Sequence, residues 1–249
     1  MNCPSFAYIC NKNAWSLHLK RKIELFMILF LLMGAIVASW KLSELTANVS
    51  KEEKNTKNEE IVIVVDPGHG GQDPGKVGIN DVLEKDLNLQ VAKKVKKLLE
   101  AAGVKIVMTR TDDNVPDVKK EDLNQRVKLI NETKPTLALC VHQNSYPDAA
   151  IKGAQVFYHT VRAEAKEAAS IVQEELRTID TTNTRQIKEN DTYFMLKNTQ
   201  VPTIIVECGF LTNPEEAEKL TQDEYQEQIA NAICEGIVKW LNGNDENEG

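Results

Sequence analysis

Residues 61–75 read IVIVVDPGHGGQDPG, and this stretch decides the fold. Its first half is a run of β-branched residues that stops at Asp66-Pro67, which is the pattern of a buried strand ending in a turn. In an open α/β sheet, ligands bind beyond the carboxyl ends of the strands. Because His69 follows directly after the turn, we predict a functional site at this edge of the sheet.

The same stretch nearly matches a phosphate-binding loop, since Gly70-x-x-x-x-Gly75-Lys76 has the spacing of that motif. The motif then requires a serine or threonine for magnesium and a helix that starts at once. Val77 takes the hydroxyl position, and helical periodicity begins only near Glu84. A histidine followed by glycines therefore favours a metal site over a nucleotide site.

Composition narrows the class of protein. The chain has 249 residues, of which 42% are hydrophobic, so it can bury a full core. Its net charge of -7 argues against nucleic acid as a partner, because phosphate backbones attract basic surfaces. The five cysteines show no paired spacing. We predict that Cys140, Cys208 and Cys234 pack in the core and that no disulfide framework forms.

The N-terminal part has the signature of export. A basic cluster at residues 20–22 precedes the almost wholly apolar run Leu25–Trp40. We predict a cytoplasmic segment over residues 1–22, a signal peptide or membrane anchor over residues 23–40, and a polar linker over residues 41–60. The remaining chain would then be extracytoplasmic, and either anchored to the membrane or secreted.

From residue 61 onward, strand patterns alternate with helix patterns. Strands are predicted over residues 61–65, 104–109, 137–141, 154–158 and 201–206, and helices over about 84–102, 121–133, 163–179 and 223–241. Residues 180–192 look like a loop. This order predicts a single α/β domain over residues 61–242, with a mainly parallel, mixed sheet of about six strands flanked by helices. Residues 243–249 are predicted to be a disordered tail.

Three polar side chains stand at or just after predicted strand ends, namely His69, His142 and Glu207. Parallel strands would gather all three at one edge of the sheet. A single histidine at a strand end is more often a structural hydrogen-bonding residue. Two of the chain's four histidines at one edge favour a metal site.

A catalytic zinc site takes three protein ligands, and Glu84 is the candidate for the third. It opens the helix that follows the His69 loop. However, Asp81-x-x-Glu84 is also the pattern of a capping box, in which Glu84 would only accept a backbone N–H. Spacing alone does not choose between the two roles. Asp66 and Asp73 compete for the ligand role, although Asp66-Pro67 is typical of a turn.

Glu207 ends the apolar run in IIVECGF. A carboxylate in such a place is costly to bury unless it is paired or used. The structural explanation is a salt bridge to Arg185 or Lys188. The functional explanation is a general base next to a zinc site.

Four motifs, in order, carry a resemblance to a known family: VVDPGHGGQDPG, Glu84 at the start of the first helix, VHQNS, and PTIIVECGFLTNPEE. Together they resemble the zinc-dependent N-acetylmuramoyl-L-alanine amidases of the Amidase_3 family. The resemblance covers about Ile61 to Leu241. Within the family, the chain is most similar to sporulation- and germination-specific amidases of the spore cortex. The predicted signal-anchor, a catalytic domain without wall-binding repeats, and RQIKEND followed by YFMLK carry this narrower likeness.

The resemblance implies one zinc ion per chain, held by His69, Glu84 and His142, with Glu207 as the catalytic carboxylate. The implied reaction is hydrolysis of the amide bond between N-acetylmuramic acid and L-alanine in peptidoglycan. The narrower likeness implies a role in spore-cortex maturation, on the pathway to muramic lactam.

Substrate contacts are predicted at Asn144 and Arg185. Two positions depart from the family pattern. Gln143 stands where many members have a small residue after the second histidine, and Cys208 replaces a frequent leucine. Neither departure removes an implied ligand, but Gln143 would change the polarity of the site.

Two alternatives stay open from sequence. One is a non-catalytic peptidoglycan-binding or regulatory protein on an amidase scaffold, against which the intact set of two histidines and two glutamates argues. The other is a different zinc amide hydrolase, such as a carboxypeptidase or a sugar deacetylase. Because a catalytic domain without a targeting module needs another route to its substrate, an activating protein partner is a further hypothesis.

Overall fold

A computed structural model describes residues 60–247, without the side chains of residues 244–247, and five earlier helical positions: Met27, Met33, Ser39, Lys41 and Ser43. The chain divides into two units, Met1–Glu59 and Glu60–Gly249. Apart from those single positions and Glu60, the segments predicted over residues 1–60 lie outside the described residues. Within the described part of the chain, no helix is both long enough and apolar enough to span a bilayer.

The second unit alternates strands and helices. The strands are β1 (Val62–Pro67), β2 (Lys105–Met108), β3 (Leu137–Asn144), β4 (Gln155–Tyr158), β5 (Lys188–Glu189) and β6 (Thr203–Phe210). The helices are α1 (Glu84–Ala101), α2 (Lys119–Thr133), α3 (Ala163–Ile179), α4 (Phe194–Asn198), α5 (Pro214–Lys219) and α6 (Asp223–Asn247).

The strands form one six-stranded sheet in the order β2-β1-β3-β6-β4-β5. All neighbouring pairs are parallel except β4 and β6, which are antiparallel. This confirms the predicted single α/β domain with a mainly parallel, mixed sheet. From β1 the chain goes to β2 on one side, and β3 lies on the other side. Such a switch point opens a crevice at the carboxyl ends of the strands, where ligands bind in open α/β sheets.

Side-chain alternation along the strands sends the apolar residues into two cores. Ile63 and Val65 pack against α1, α3 and α6, whereas Val64 packs on the opposite face with α2 and α4. Cys140 of β3 and Ile205 of β6 belong to the α2 and α4 side. His142 and Glu207 lie two residues further along the same strands, so the pleat turns both toward this face.

Three short elements were not predicted, namely β5, α4 and α5. Each has six residues or fewer, which is too short for apolar periodicity to build up. The helix α5 does carry a local signal. Asn213 accepts a hydrogen bond from the backbone N–H of Glu216 at 3.0 Å, and Pro214 follows in the first turn.

The C-terminal helix is longer than predicted. Its apolar stripe ends at Leu241, but α6 continues to Asn247 and takes in residues 243–247 of the predicted tail. Backbone hydrogen bonds can extend a helix beyond its apolar stripe. A glycine such as Gly243 costs only about 1 kcal/mol relative to alanine, and no proline follows to stop the helix.

The described cysteines are free thiols. Cys140 and Cys208 are fully buried and Cys234 is partly buried. Their place in the apolar cores agrees with the packing role predicted for them.

Candidate active site

The loop after β1 brings backbone close to the candidate ligands. An added Cβ at Gly68 would lie 2.1 Å from Cε1 of His142, and one at Gly75 would lie 2.6 Å from Oε2 of Glu84. His69 itself adopts a φ of 63°, a left-handed conformation that is costly for a residue with a Cβ. Glycine is therefore required at positions 68 and 75 for the side chains of the site to converge.

His69, Glu84 and His142 meet at the carboxyl ends of β1 and β3. Oε1 of Glu84 lies 3.2 Å from Nε2 of His69 and 3.0 Å from Nδ1 of His142. The two imidazole rings meet edge to face, with 5.0 Å between their centres. One donor atom from each residue lies within 4.8 Å of the others. Two imidazoles and one carboxylate fit a catalytic zinc ion in number and in chemistry.

The capping-box alternative for Glu84 is wrong. Leu83, not Asp81, precedes the helix as its cap, and it makes no side-chain cap bond. The carboxylate of Glu84 instead points toward the two histidines. Its Oε2 accepts a hydrogen bond from the backbone N–H of Lys76 at 2.8 Å, and its Oε1 accepts one from that of Gln143 at 3.2 Å.

Asp66 and Asp73, the alternative candidates for the third ligand, contact residues around the site instead of joining the ligand set. Oδ2 of Asp73 accepts a hydrogen bond from Nδ1 of His69 at 2.9 Å, which leaves Nε2 to face Glu84. Such outer partners fix the tautomer and orientation of a ligating histidine. Asp66 is buried beneath the loop and pairs with Arg126 at 3.0 Å.

Burial and charge work against each other in this cluster. Burial alone would raise the pKa of Glu84, but hydrogen bonds from His142 and His69 hold that pKa far below its usual range. Burial would likewise lower the pKa of His142, but its hydrogen bond to Glu84 outweighs this and raises the pKa. Glu84 and His142 therefore favour each other's charged forms when no metal is bound, and metal binding, which needs deprotonated ligands, would compete with protonation there.

Glu207 is a buried carboxylate with no salt-bridge partner among the described residues. Its side chain is on β6 opposite His142, the residue is 7% exposed, and its Oε2 has no hydrogen-bond partner among the described residues. Burial raises the pKa of Glu207 to about 7; Glu84 adds to this rise, and His142 and His69 oppose it. A carboxyl group with a free oxygen and a pKa near neutrality suits proton transfer.

The structural explanation for Glu207 is wrong, because no salt bridge joins it to Arg185 or Lys188 in the described part of the chain. Arg185 bonds elsewhere, and Nζ of Lys188 lies over the ring of Phe157, 5.9 Å from its centre.

The cluster and Glu207 open into one cleft of about 460 Å³. Its other walls mix polar and apolar side chains, which are Lys119, Leu123, Gln143, Asn144, Ser145, Tyr193, Phe194, Met195 and Ile205. Asn144, predicted as a substrate contact, lies in this cleft.

Comparison with known proteins identifies the family. A family model described as N-acetylmuramoyl-L-alanine amidase, Amidase_3, matches residues 63–239. The chain belongs to this family. The match falls within the domain predicted over residues 61–242, and the resemblance stated from the four motifs is confirmed. The chain is an N-acetylmuramoyl-L-alanine amidase, an amide hydrolase that acts on peptidoglycan.

Several relatives of the amidase are similar over most of its folded part. The germination-specific N-acetylmuramoyl-L-alanine amidase of Bacillus subtilis (strain 168) is 39% identical over 189 residues, which cover 72% of this chain and 79% of that protein. The structure of the CwlD amidase from Clostridioides difficile in complex with the GerS lipoprotein matches with a TM-score of 0.71 and 35% identity, over 73% of this chain and 98% of that one. The catalytic domain of CwlV from Bacillus (Paenibacillus) polymyxa matches with a TM-score of 0.66 and 30% identity, over 73% and 98%.

Arg185 of the amidase lies outside the Glu207 cleft. Its Nε donates to the backbone carbonyl of Lys152 at 2.7 Å, and its guanidinium stacks 4.6 Å above the ring centre of Phe210. It lines a second cleft, with Asp180, Thr182 and Asn183. Arg185 thus does not line the cleft that holds the other predicted site residues, and its role as a substrate contact stays a prediction.

Asn88 of the amidase supports the site, although the apolar periodicity of α1 does not predict this role. It is fully buried on α1, and its Nδ2 donates to the carbonyl of Gly68 at 3.0 Å and to Oε1 of Glu84 at 3.3 Å. Its Oδ1 accepts a hydrogen bond from Nε2 of Gln143 at 3.2 Å. Gln143, which departs from the family pattern, therefore helps to hold Asn88 in place. The available signal was a polar residue next to Leu87 in the apolar stripe of a helix.

Proposed function

We propose that this amidase is zinc-dependent, with one ion per chain held by His69, Glu84 and His142, and with Glu207 as the catalytic acid–base. The observation that carries the proposal is the convergence of these three donor groups beside a buried carboxylate whose Oε2 has no partner among the described residues. When bound, zinc would supply Lewis-acid chemistry to the scissile amide.

Glu207 would move the proton in this reaction. Its free Oε2 takes the proton of the attacking water, and the same carboxyl group returns it to the leaving amine nitrogen of L-alanine. Burial raises the pKa of Glu207, which favours its holding the proton between the two transfers, whereas a bound cation would favour the ionised carboxylate. Asp73 and Asn88 hold His69 and Glu84 in place through the hydrogen bonds described above.

The cleft next to Glu207 suits a substrate that is part sugar and part peptide. Asn144 offers both a hydrogen-bond donor and acceptor at its wall, so we propose it as a substrate contact. Tyr193, Phe194 and Met195 offer apolar surface on another wall. A contact of Arg185 with the substrate would involve a more distant part of the glycan or the peptide.

The biological role we propose is spore-cortex maturation, on the pathway to muramic lactam. The 39% identity to a germination-specific amidase supports this role. The export signal predicted over residues 23–40 would place the domain outside the cytoplasm, where peptidoglycan lies, with membrane association at its N-terminus. The related CwlD amidase has a structure in complex with the GerS lipoprotein, which supports the hypothesis of an activating protein partner for this chain.

Mass spectrometry of muropeptides tests the proposal. Purified vegetative and cortex peptidoglycans would each be incubated with the full chain, once with zinc and once with a chelator. We expect zinc-dependent release of intact stem peptides, with the cortex as the better substrate. Release of single amino acids would indicate a carboxypeptidase, and release of acetate a deacetylase. Release of stem peptides that persists in a metal-free, chelator-treated sample would overturn the zinc dependence.

A further inference from the structure

Two arginines are buried beneath the loop that carries His69. Arg110 follows β2 and is 5% exposed, and Arg126 lies on α2 and is 3% exposed. A buried charge is costly unless it is paired and fully hydrogen-bonded. The hydrogen bonds of these two guanidinium groups therefore indicate their role in the structure.

Arg110 joins the loop after β1 to the start of α1. Its Nε donates to the carbonyl of Pro67 at 2.9 Å, and its Nη2 donates to those of Gly68 at 3.1 Å and Lys85 at 2.7 Å. Pro67 and Gly68 immediately precede His69, and Lys85 immediately follows Glu84. One planar group thus fixes the distance between the backbones that carry two of the proposed ligands.

Arg126 holds His69 itself. Its Nη2 donates to the carbonyl of His69 at 2.6 Å, and its Nη1 donates to that of Pro67 at 2.7 Å. His69 is in the left-handed region, which is unfavourable for a residue with a Cβ. The bond to its carbonyl stabilises that conformation. The charge of Arg126 is offset by Asp66 and Asp122, whose carboxylates lie within 3.0 Å.

We propose that Arg110 and Arg126 form a carbonyl clamp that holds His69 and Glu84 at their ligating positions and so sets the affinity of the site for zinc. The inference rests on the proposed zinc site and makes the two arginines positioning residues. Their charge alone would act in the opposite direction, since a cation near the site repels a divalent cation. Geometry and charge therefore predict opposite effects when an arginine is removed.

Arg110 gives the sharper test. Loss of Arg126 would leave Asp66 and Asp122 without the cation with which they form ion pairs. Arg110 forms no ion pair with a carboxylate in the described part of the chain. We choose Arg110→Met, which removes the charge and the hydrogen bonds, and Arg110→Lys, which keeps the charge. A lysine ammonium is a point donor and cannot span three carbonyls as the planar guanidinium does.

The readout is the dissociation constant for zinc, measured on the full chain by competition with a chromophoric chelator. Unfolding of the metal-free protein is measured as well, to show whether each variant folds. We expect both variants to bind zinc about tenfold to a hundredfold more weakly, the range seen when outer partners of metal ligands are lost. Ile233→Val, in the core on α6 and away from the cleft, is the matched control and should leave zinc affinity unchanged.

Unchanged or tighter zinc binding in a folded Arg110→Met protein would overturn the clamp. If that variant does not fold, Arg110→Lys decides by the same criterion, and if neither folds, the arginines serve general stability and the proposal is overturned. If the unaltered chain binds no zinc, the proposed function fails as well. If the unaltered chain binds zinc and the variants bind it equally, only the clamp fails.

Discussion

His142 on β3 lies directly opposite Glu207 on β6, because these two parallel strands are neighbours in the sheet and pair at that position. Both side chains face the side covered by α2 and α4, where the cleft opens. The sheet order therefore puts a proposed metal ligand and the unpartnered carboxylate side by side. A strand inserted between β3 and β6 would separate them.

Replacing His142 tests the ligand set. We predict that His142→Ala loses zinc and that release of stem peptides falls by at least about a hundredfold, as when an essential electrostatic stabiliser is removed. His159→Ala is the matched control, since His159 lies outside the cleft and its Nδ1 accepts a hydrogen bond from the backbone N–H of Val161. Metal analysis and muropeptide release measure both variants. Full zinc occupancy in His142→Ala would exclude it as a ligand.

Gly68→Ala tests the close approach of backbone to the site. The added Cβ would lie 2.1 Å from the imidazole of His142, so the ring has to move. We predict zinc binding at least about tenfold weaker and a free energy of unfolding lower by about 1–3 kcal/mol. The measurements are a zinc titration and denaturant unfolding.

Gly243→Ala is the control for this substitution, because an added Cβ in that part of α6 meets none of the described neighbouring atoms within 4 Å. Alanine there should leave zinc binding unchanged and leave stability equal or raised by up to about 1 kcal/mol. Zinc affinity that is equal in both glycine variants would contradict the packing argument.

The burial of Glu207 predicts that the metal-free enzyme gains stability when this charge is removed. The pKa of Glu207 rises from 4.5 to about 7 on folding. Between these pH values the folded state binds more protons than the unfolded state, so the free energy of unfolding falls as pH rises, by at most about 3 kcal/mol. We predict that Glu207→Gln abolishes this fall in the free energy of unfolding.

Denaturant unfolding in the presence of a chelator measures this effect. At pH 8 the Glu207→Gln protein should exceed the unaltered chain in the free energy of unfolding, and near pH 4.5 the two should converge. A difference that does not change with pH would show that Glu207 titrates at its ordinary pKa in the folded protein. Stability given up at a functional residue is expected where activity needs a strained or destabilised site.

The sequence predicts much of the fold because its long elements have clear periodicity and its functional residues follow strands. His69 and His142 were identified by their positions at strand ends, and parallel strands have to gather such positions at one edge. Glu84 could not be assigned from spacing, because a capping box and a metal ligand have the same pattern there. The choice depends on the loop that brings the N–H of Lys76 to its carboxylate.

Residues that act through long-range contacts were not predictable in the same way. Asn88 stands between two leucines of α1, Arg110 follows β2 in a polar segment, and Arg126 lies on α2. Nothing local indicates that the three side chains meet at the carbonyls of one loop. Arg185 shows the converse. It is predicted as a substrate contact, but its tertiary contacts place it in another cleft.

The central claim is that Glu207 transfers the proton next to a zinc ion held by His69, Glu84 and His142. The most direct test measures zinc content and stem-peptide release together, on Glu207→Gln and on the unaltered chain. We predict one zinc ion per chain in both proteins, and release by the variant reduced by at least about a hundredfold, the contribution typical of a general acid–base. Release by zinc-loaded Glu207→Gln at a rate near that of the unaltered chain would contradict this assignment.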